Sequence, residues 1–504
     1  MINLSPAQSL DRINALLAAS ESRKLEFKRI SGRHEKILAT ICAFANTDGG
    51  LIVIGIGDVK HLKPGGGQNS RLWGIEENAE GFDCLNREIL QSFTPAITKL
   101  HWTSLACTLH DGQAGRVMEL RVEKSELVHS IASGGATWTR MDASNRLLNA
   151  AEITDLAYQR GIRSAASELV SVNLALLETP IWRTFVAARG LKTGTTAEQL
   201  QRIGLADTLD GELRPTRAAV LLFADEPGSL LAAHGSRADI RLLVYSGKAA
   251  TLGAVPNMSK NALTIRGPLI GQIDDAVKAV LRELQNGLTL ASSGFKAAHV
   301  YPERAVKEAI VNAVVHRDYR LNRDIFVRIF DDRIEVENPG TFLGNITAGN
   351  ISRTGSKARN PLIVQNLREF PAAPNIDAGE GVKMMFAEMA AAKLYPPRYS
   401  QNTDAAVEIV TVTLLNLARP STWDQVSDWI DRKGPIANVQ LREISGLDTL
   451  AASKQLKLWV AQGVLVALPG TSLKHMRYTL PDLLDLSPEA GLLSLGSDNK
   501  NRNL

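Results

Sequence analysis

Apolar positions along this chain recur with two periods, and the places where the period changes mark its elements. Repeats of the i, i+3, i+4, i+7 kind predict amphipathic helices near the amino terminus, through KILATICAFAN, through IGQIDDAVKAVLRELQNGL and through VKEAIVNAVVHRDY, Val306 to Tyr319. Two-residue alternation or short apolar runs predict strands in LEFKR, LIVIGIG, GRVMELRVEK, TRAAVLLFAD and ADIRLLVYSG. Two hairpins follow from the same rule. One lies in ATWTRMDASNRLL, leading into a helix capped near Asn149 or Thr154, and the other turns at Asp331-Asp332 in DIFVRIFDDRIEVENPG. Near the carboxy end come helices WDQVSDWIDR and NVQLREIS, a turn at Gly446, helix TLAASKQLKLWVAQG, and strands VLVAL and RYTL about a PGTS turn.

A chain of 504 residues is too long for one core. The pattern divides it into an α+β block over 1–163, an α/β connector over 164–298, an α/β block over 299–419 and a small helical block over 420–485. That last block has the order of a winged helix-turn-helix, and the Ser-, Gly- and Asn-rich tail over 486–504 is expected to be disordered. A formal charge of +4 permits nucleic-acid binding without requiring it. Cys42, Cys84 and Cys107 are too far apart in sequence for a disulfide framework or a zinc motif, and the nine histidines are scattered, so any metal is expected on carboxylates. No apolar run is long enough for a bilayer and the amino terminus lacks a leader pattern. A cytoplasmic protein with no membrane association is expected.

Chemistry concentrates in the third block. Glu308 and Asn312 lie one turn apart on a polar helix face, where a carboxylate can activate water and a carboxamide oxygen can hold Mg²⁺. Asn338-Pro339-Gly340 and Gly379-Glu380-Gly381 supply turns that let backbone amides approach phosphate, and Lys357 and Arg359 add cations in the loop between them. No G-x-x-x-x-G-K-[ST] stretch is present, so a Walker-type motor is not expected. In the fourth block Lys454 and Lys457 stand on the candidate recognition helix, with Lys474 and Arg477 in the wing.

The segments HRDY, RIEVENPG, ARNPLIVQNL and GEGVKMM, in that order, resemble the GHKL ATP-binding fold, and more narrowly the branch found in transcriptional regulators and RecG-like proteins. The resemblance implies that Glu308 is the general base, Asn312 the Mg²⁺ ligand, and Gly340, Gly379 and Gly381 the nucleotide-loop glycines. It also shows a departure, since Asn338 stands where the wider superfamily has an Asp accepting from the adenine amino group. An Asn oxygen can still accept that bond.

ESRKLEFKR followed by AFANTDGGLIVIGIGD resembles the Schlafen-type AlbA-like domain. In some relatives the acids matching Glu21, Glu26 and Asp58 resemble a metal-dependent endoribonuclease site, which implies Mg²⁺ or Mn²⁺ here and phosphate contacts from Lys28 and Arg29. The alternative is a plain ion pair between Lys28 and Glu26 in a domain that only binds nucleic acid. The whole chain reads as an ATP-binding, nucleic-acid-binding, nucleotide-regulated transcriptional regulator acting on DNA or RNA. An ATP-controlled endonuclease and a scaffold with a degenerate ATP site are the alternatives, and the GHKL resemblance implies a homo-oligomer.

Overall fold

The computed structural model describes residues 2–3, 5–30, 34–59, 67–251, 256–286, 288–291, 294–297, 301–355, 357–374, 380–402, 407–468 and 476–483. The chain forms two compact units, Met1–Ile162 and Arg163–Asp485. Both mix helices with sheets.

In the first unit a five-stranded sheet is built from β1 (Ile2–Asn3), β2 (Leu25–Lys28), β3 (Gly50–Ile54), β4 (Leu100–Thr108) and β5 (Ala114–Val122), in the order β1-β4-β5-β3-β2. β2 runs parallel to β3, from Leu25 opposite Leu51 to Lys28 opposite Ile54. Every residue of β3 is buried, which is why its sequence is a continuous apolar run rather than an alternating one. Leu51 and Val53 face Ile13, Leu16 and Leu17 of α1 (Pro6–Ala18), while Ile52 and Ile54 face the core made with α2 (His34–Asn46) and α3 (Ala79–Glu88). The predicted hairpin is present as β6 (Trp138–Met141) and β7 (Ser144–Leu147). It leads into α4 (Ala150–Gln159), where Asn149 and Glu152 cap each other reciprocally.

The second unit holds a six-stranded sheet. Its strands are β8 (Ile240–Val244), β9 (Leu263–Ile265), β10 (Ile325–Ile329), β11 (Arg333–Pro339), β12 (Arg398–Asn402) and β13 (Ile409–Leu415), ordered β9-β8-β10-β11-β13-β12. β10 and β11 are the predicted hairpin. β8 pairs in parallel with β10, from Ile240 opposite Ile325 to Val244 opposite Ile329. The boundary expected between 298 and 299 therefore runs through one sheet, because β8 is an internal strand with partners on both edges.

TRAAVLLFAD differs from its predicted strand. It forms α6 (Arg217–Phe223), after α5 (Pro180–Arg189), with Thr216 capping its first turn. All seven residues of this helix are buried. A helix enclosed on every side has no polar face, so its sequence carries no helical period, and a short apolar run is then indistinguishable from a buried strand.

Three further helices shape the candidate site: α7 (Leu269–Asn286), α8 (Glu303–His316) and, after the short α9 (Pro361–Leu367), α10 (Gly381–Ala391). α8 packs against α7 and α10. The last part of the unit contains α11 (Trp423–Lys433), α12 (Asn438–Ser445), α13 (Thr449–Ala461) and two paired strands, β14 (Val466–Ala467) and β15 (Tyr478–Thr479). Gly446, at φ 70°, ends α12 in the left-handed conformation that glycine tolerates best. Trp423, Leu456 and Trp459 form the core here, and the Trp459 indole N–H donates to the Tyr395 hydroxyl at 2.8 Å. No described helix is long and apolar enough to cross a membrane. The tail over 486–504 lies outside the described residues.

A candidate nucleotide site

A cavity of about 520 Å³ lies among α8, the end of β11, the loop after it and the start of α10. Glu308, Asn312, Asn338, Lys357, Arg359 and Gly381 all line it. The fold brings them together because α8 buries Val306, Ala309, Ile310, Ala313 and Val314, which leaves Glu308 and Asn312 on the side facing the cavity. The helix is shorter than predicted, ending at His316. Arg317 takes ψ 141°, and the chain turns so that Arg317, Asp318 and Tyr319 are buried.

Asn312 donates a hydrogen bond to the Glu308 carboxylate. Burial raises the Glu308 pKa above the ordinary carboxylate value, and Asn312, Lys307 and Arg304 oppose the shift. Tyr399, on β12, lines the same cavity, and burial raises its pKa too, with the nearby Glu308 charge adding to the effect. Sequence reasoning missed Tyr399, and nothing in its short polar strand marks it. Gly381 opens α10 directly against Glu308, so that a β-carbon on Gly381 would overlap the carboxylate. This close approach explains the glycine without any need for a left-handed backbone.

Asn338 supplies the most telling observation. Its side-chain oxygen is buried and has no hydrogen-bond partner among the described residues, and the residue lines the cavity. A buried acceptor without a donor costs roughly 1–3 kcal/mol, which a ligand amino group seated in the cavity would recover.

Two expected phosphate contacts have other work. Arg359 is buried, donates to the Thr341 carbonyl at 2.8 Å and lies 3.7 Å from the Asp318 carboxylate, so it fastens the loop after β11 to the segment after α8. Gly340 has φ 127° and a backbone N–H that donates to the Glu408 carbonyl at 2.9 Å, while its α-carbon faces Asp318. Its contribution is the turn itself. Lys357 stays on the cavity wall, and Gly379 lies outside the described residues.

His316 also lines the cavity. Burial, with Arg359 adding to it, pushes its pKa from 6.5 down to about 4. The unfolded chain takes up this proton near 6.5 and the folded chain only near 4, so the contribution of neutral His316 to stability is complete above 6.5 and is lost as pH falls through that window. Thermal midpoints measured from pH 7 to pH 4 are expected to fall less in His316→Gln than in the wild type. Parallel curves would exclude this origin.

In the first unit the three acids do not form a ligand set. Glu26 is 5 % exposed and is ion-paired with both Lys28 and Arg140. Arg140 also donates to the Ser22 carbonyl and to the Asn145 side-chain oxygen, each at 2.8 Å. Glu21 accepts from the Phe27 backbone N–H at 3.1 Å, and its pKa is raised by burial first and then by Glu26 and Asp58. The buried Arg71 guanidinium feels both Asp58 and Glu21. Lys28, Arg71 and Arg140 lie among these acids, yet Glu21 still feels the repulsion of Glu26 and Asp58. Among the described residues these three acids do not bring their oxygens within 4.8 Å of one another, and Glu26 is held by Lys28 and Arg140. Arg29 is likewise engaged, ion-paired with Glu77 and stacked 3.7 Å over the Trp73 ring. Lys454, Lys457 and Arg477 are exposed, while Lys474 lies outside the described residues.

Comparison with known proteins matches two stretches of the chain to family models. Residues 21–149 match the model described as "Schlafen, AlbA_2". Residues 322–414 match the model described as "Putative ATP-dependent DNA helicase recG C-terminal". A crystal structure of the DIP2311 protein from Corynebacterium diphtheriae is similar at 18 % identity, with a TM-score of 0.39 over 94 % of this chain and 99 % of that one. No curated protein matches the chain. The chain therefore joins a Schlafen AlbA_2 domain to an ATPase-like domain of the RecG carboxy-terminal kind.

Proposed function

We infer that this protein binds ATP with Mg²⁺ in the cavity beside α8 and that the bound nucleotide controls its hold on nucleic acid, as in a transcriptional regulator. The unpartnered Asn338 oxygen carries the reading, since a buried acceptor on a residue that lines a cavity in an ATPase-like domain suits the adenine amino group. Asn312 would hold Mg²⁺ through its side-chain oxygen and Glu308 would orient water, with Gly381 and Lys357 near the phosphates.

The reading takes α11 to α13 with β14 and β15 as a winged helix, in which Lys454 and Lys457 on α13 and Arg477 before β15 meet DNA phosphates. The AlbA-like domain is the second nucleic-acid module, and self-association accompanies nucleotide binding. The regulator is preferred over the endonuclease because Glu26 is already held in ion pairs with Lys28 and Arg140.

The test is a titration of the full chain with Mg-ATP, read by calorimetry. Binding is expected in the wild type and at least tenfold weaker in Asn338→Leu, which corresponds to about 1.4 kcal/mol or more. Duplex DNA binding should change when ATP is present, and Lys454→Ala with Lys457→Ala should reduce the salt dependence of that binding by about two phosphate contacts. Absence of nucleotide binding, or DNA affinity indifferent to ATP, would sink the proposal.

A further inference from the structure

Away from both sites already described, three side chains of different chemistry meet on the outside of the first unit. The His34 Nδ1 lies 2.8 Å from Glu88 Oε2. The Cys84 sulfur joins them, with all three ligand atoms within 4.8 Å of one another. Among the described residues this is the one such grouping of three.

The fold fixes the meeting point. Cys84 and Glu88 are one turn apart on α3, whose other face buries Phe82 and Leu85. His34 is the first residue of α2, which buries Ile37, Leu38 and Ile41 in the same core as Phe82 and Leu85. The two helices are thus set by shared packing, and the three side chains project from their outer sides. Cys84 and Glu88 are exposed and His34 is partly so, which leaves room for a further ligand from solvent.

We propose that His34, Cys84 and Glu88 form a site for a thiophilic divalent cation such as Zn²⁺, with the remaining position open to water or an incoming ligand. One imidazole, one thiolate and one carboxylate are a donor set that favours zinc over Mg²⁺ or Ca²⁺, which prefer all-oxygen shells. Ligand bonds of about 2.0–2.3 Å place tetrahedral donor atoms roughly 3.3–3.7 Å apart. The His34 and Glu88 contact therefore opens by about half an ångström and the sulfur moves inward, changes within reach of side-chain rotation. Binding releases the Cys84 thiol proton to solvent. No sequence rule marks the site, because His34 stands far from Cys84 along the chain and the C-x-x-x-E spacing is common on helices.

The test uses the full chain, freed of metal by a chelator and titrated with Co²⁺ as a spectroscopic probe and with Zn²⁺ by calorimetry. One equivalent of Co²⁺ is expected to bind with a near-ultraviolet thiolate charge-transfer band. Cys84→Ser should abolish the band, and His34→Gln should weaken Zn²⁺ binding at least tenfold. Both variants replace side chains outside the core, and unchanged thermal midpoints without metal would confirm that they fold. A band that survives Cys84→Ser, Zn²⁺ affinity unchanged in His34→Gln, or no binding of either ion at micromolar concentration would each overturn the site.

Discussion

Replacing Gly381 by alanine is expected to leave the protein folded while lowering its affinity for Mg-ATP at least tenfold. The added β-carbon falls where the Glu308 carboxylate now lies, and the atoms it meets are the far end of a flexible side chain rather than backbone. Glu308 can swing away, so the fold survives. Two small terms then oppose each other. Alanine at this first helical position gains roughly a few tenths of a kcal/mol at most over glycine, and loss of the Asn312 hydrogen bond to Glu308 costs about 0.5–1 kcal/mol. The thermal midpoint should therefore barely move. The site does change, since the displaced carboxylate and the new methyl group both crowd the start of α10, where a phosphate would approach backbone amides. A double-mutant cycle isolates the cause. In a Glu308→Ala background the same glycine substitution should cost much less affinity, because the collision partner is gone. Equal losses in both backgrounds would mean that the β-carbon blocks the ligand itself.

Arg140→Ala should destabilise the first unit by about 3–5 kcal/mol, read as an earlier unfolding transition in urea. The substitution leaves Glu26 buried with Lys28 as its remaining ion-pair partner and removes the donors to Ser22 and Asn145. Lys28 is 26 % exposed, so water can reach that pair, and the loss should fall towards the lower end of the range. Neutralising both partners, as in Glu26→Gln with Arg140→Met, should recover much of the stability because no isolated charge stays buried. An Arg140→Ala protein as stable as the wild type would show that the network contributes little. For the reciprocal reason Glu26→Ala should also unfold early, since it strands a guanidinium that is nearly inaccessible. Any activity lost in that variant must be judged against its folding.

Local pattern made much of this molecule legible. The β10–β11 hairpin, the Asn149 cap and the placement of Glu308 beside Asn312 each depend on residues within a few positions of one another, where period and spacing act directly. The failures have a common physical origin. α6 is enclosed on all sides and so lost its helical signature, and Arg359 looked like a free loop cation until Asp318 and Thr341 arrived from other segments. The acids of the first unit were visible as residue types, but Arg71 and Arg140, which balance them, come from distant parts of the chain. Periodicity reports which way a side chain faces. It does not report what will be waiting there.

The parallel pairing of β8 with β10 bears on how the protein is made. β8 is translated some 80 residues before its partner, an interval of roughly 4 to 16 s at ordinary elongation rates. Throughout that time one edge of β8 has no strand to bond, and a bare edge is a template for unwanted pairing. The ATPase-like domain is also not a cassette that could be lifted from the chain at β10, because its sheet would then begin on an edge that β8 normally seals.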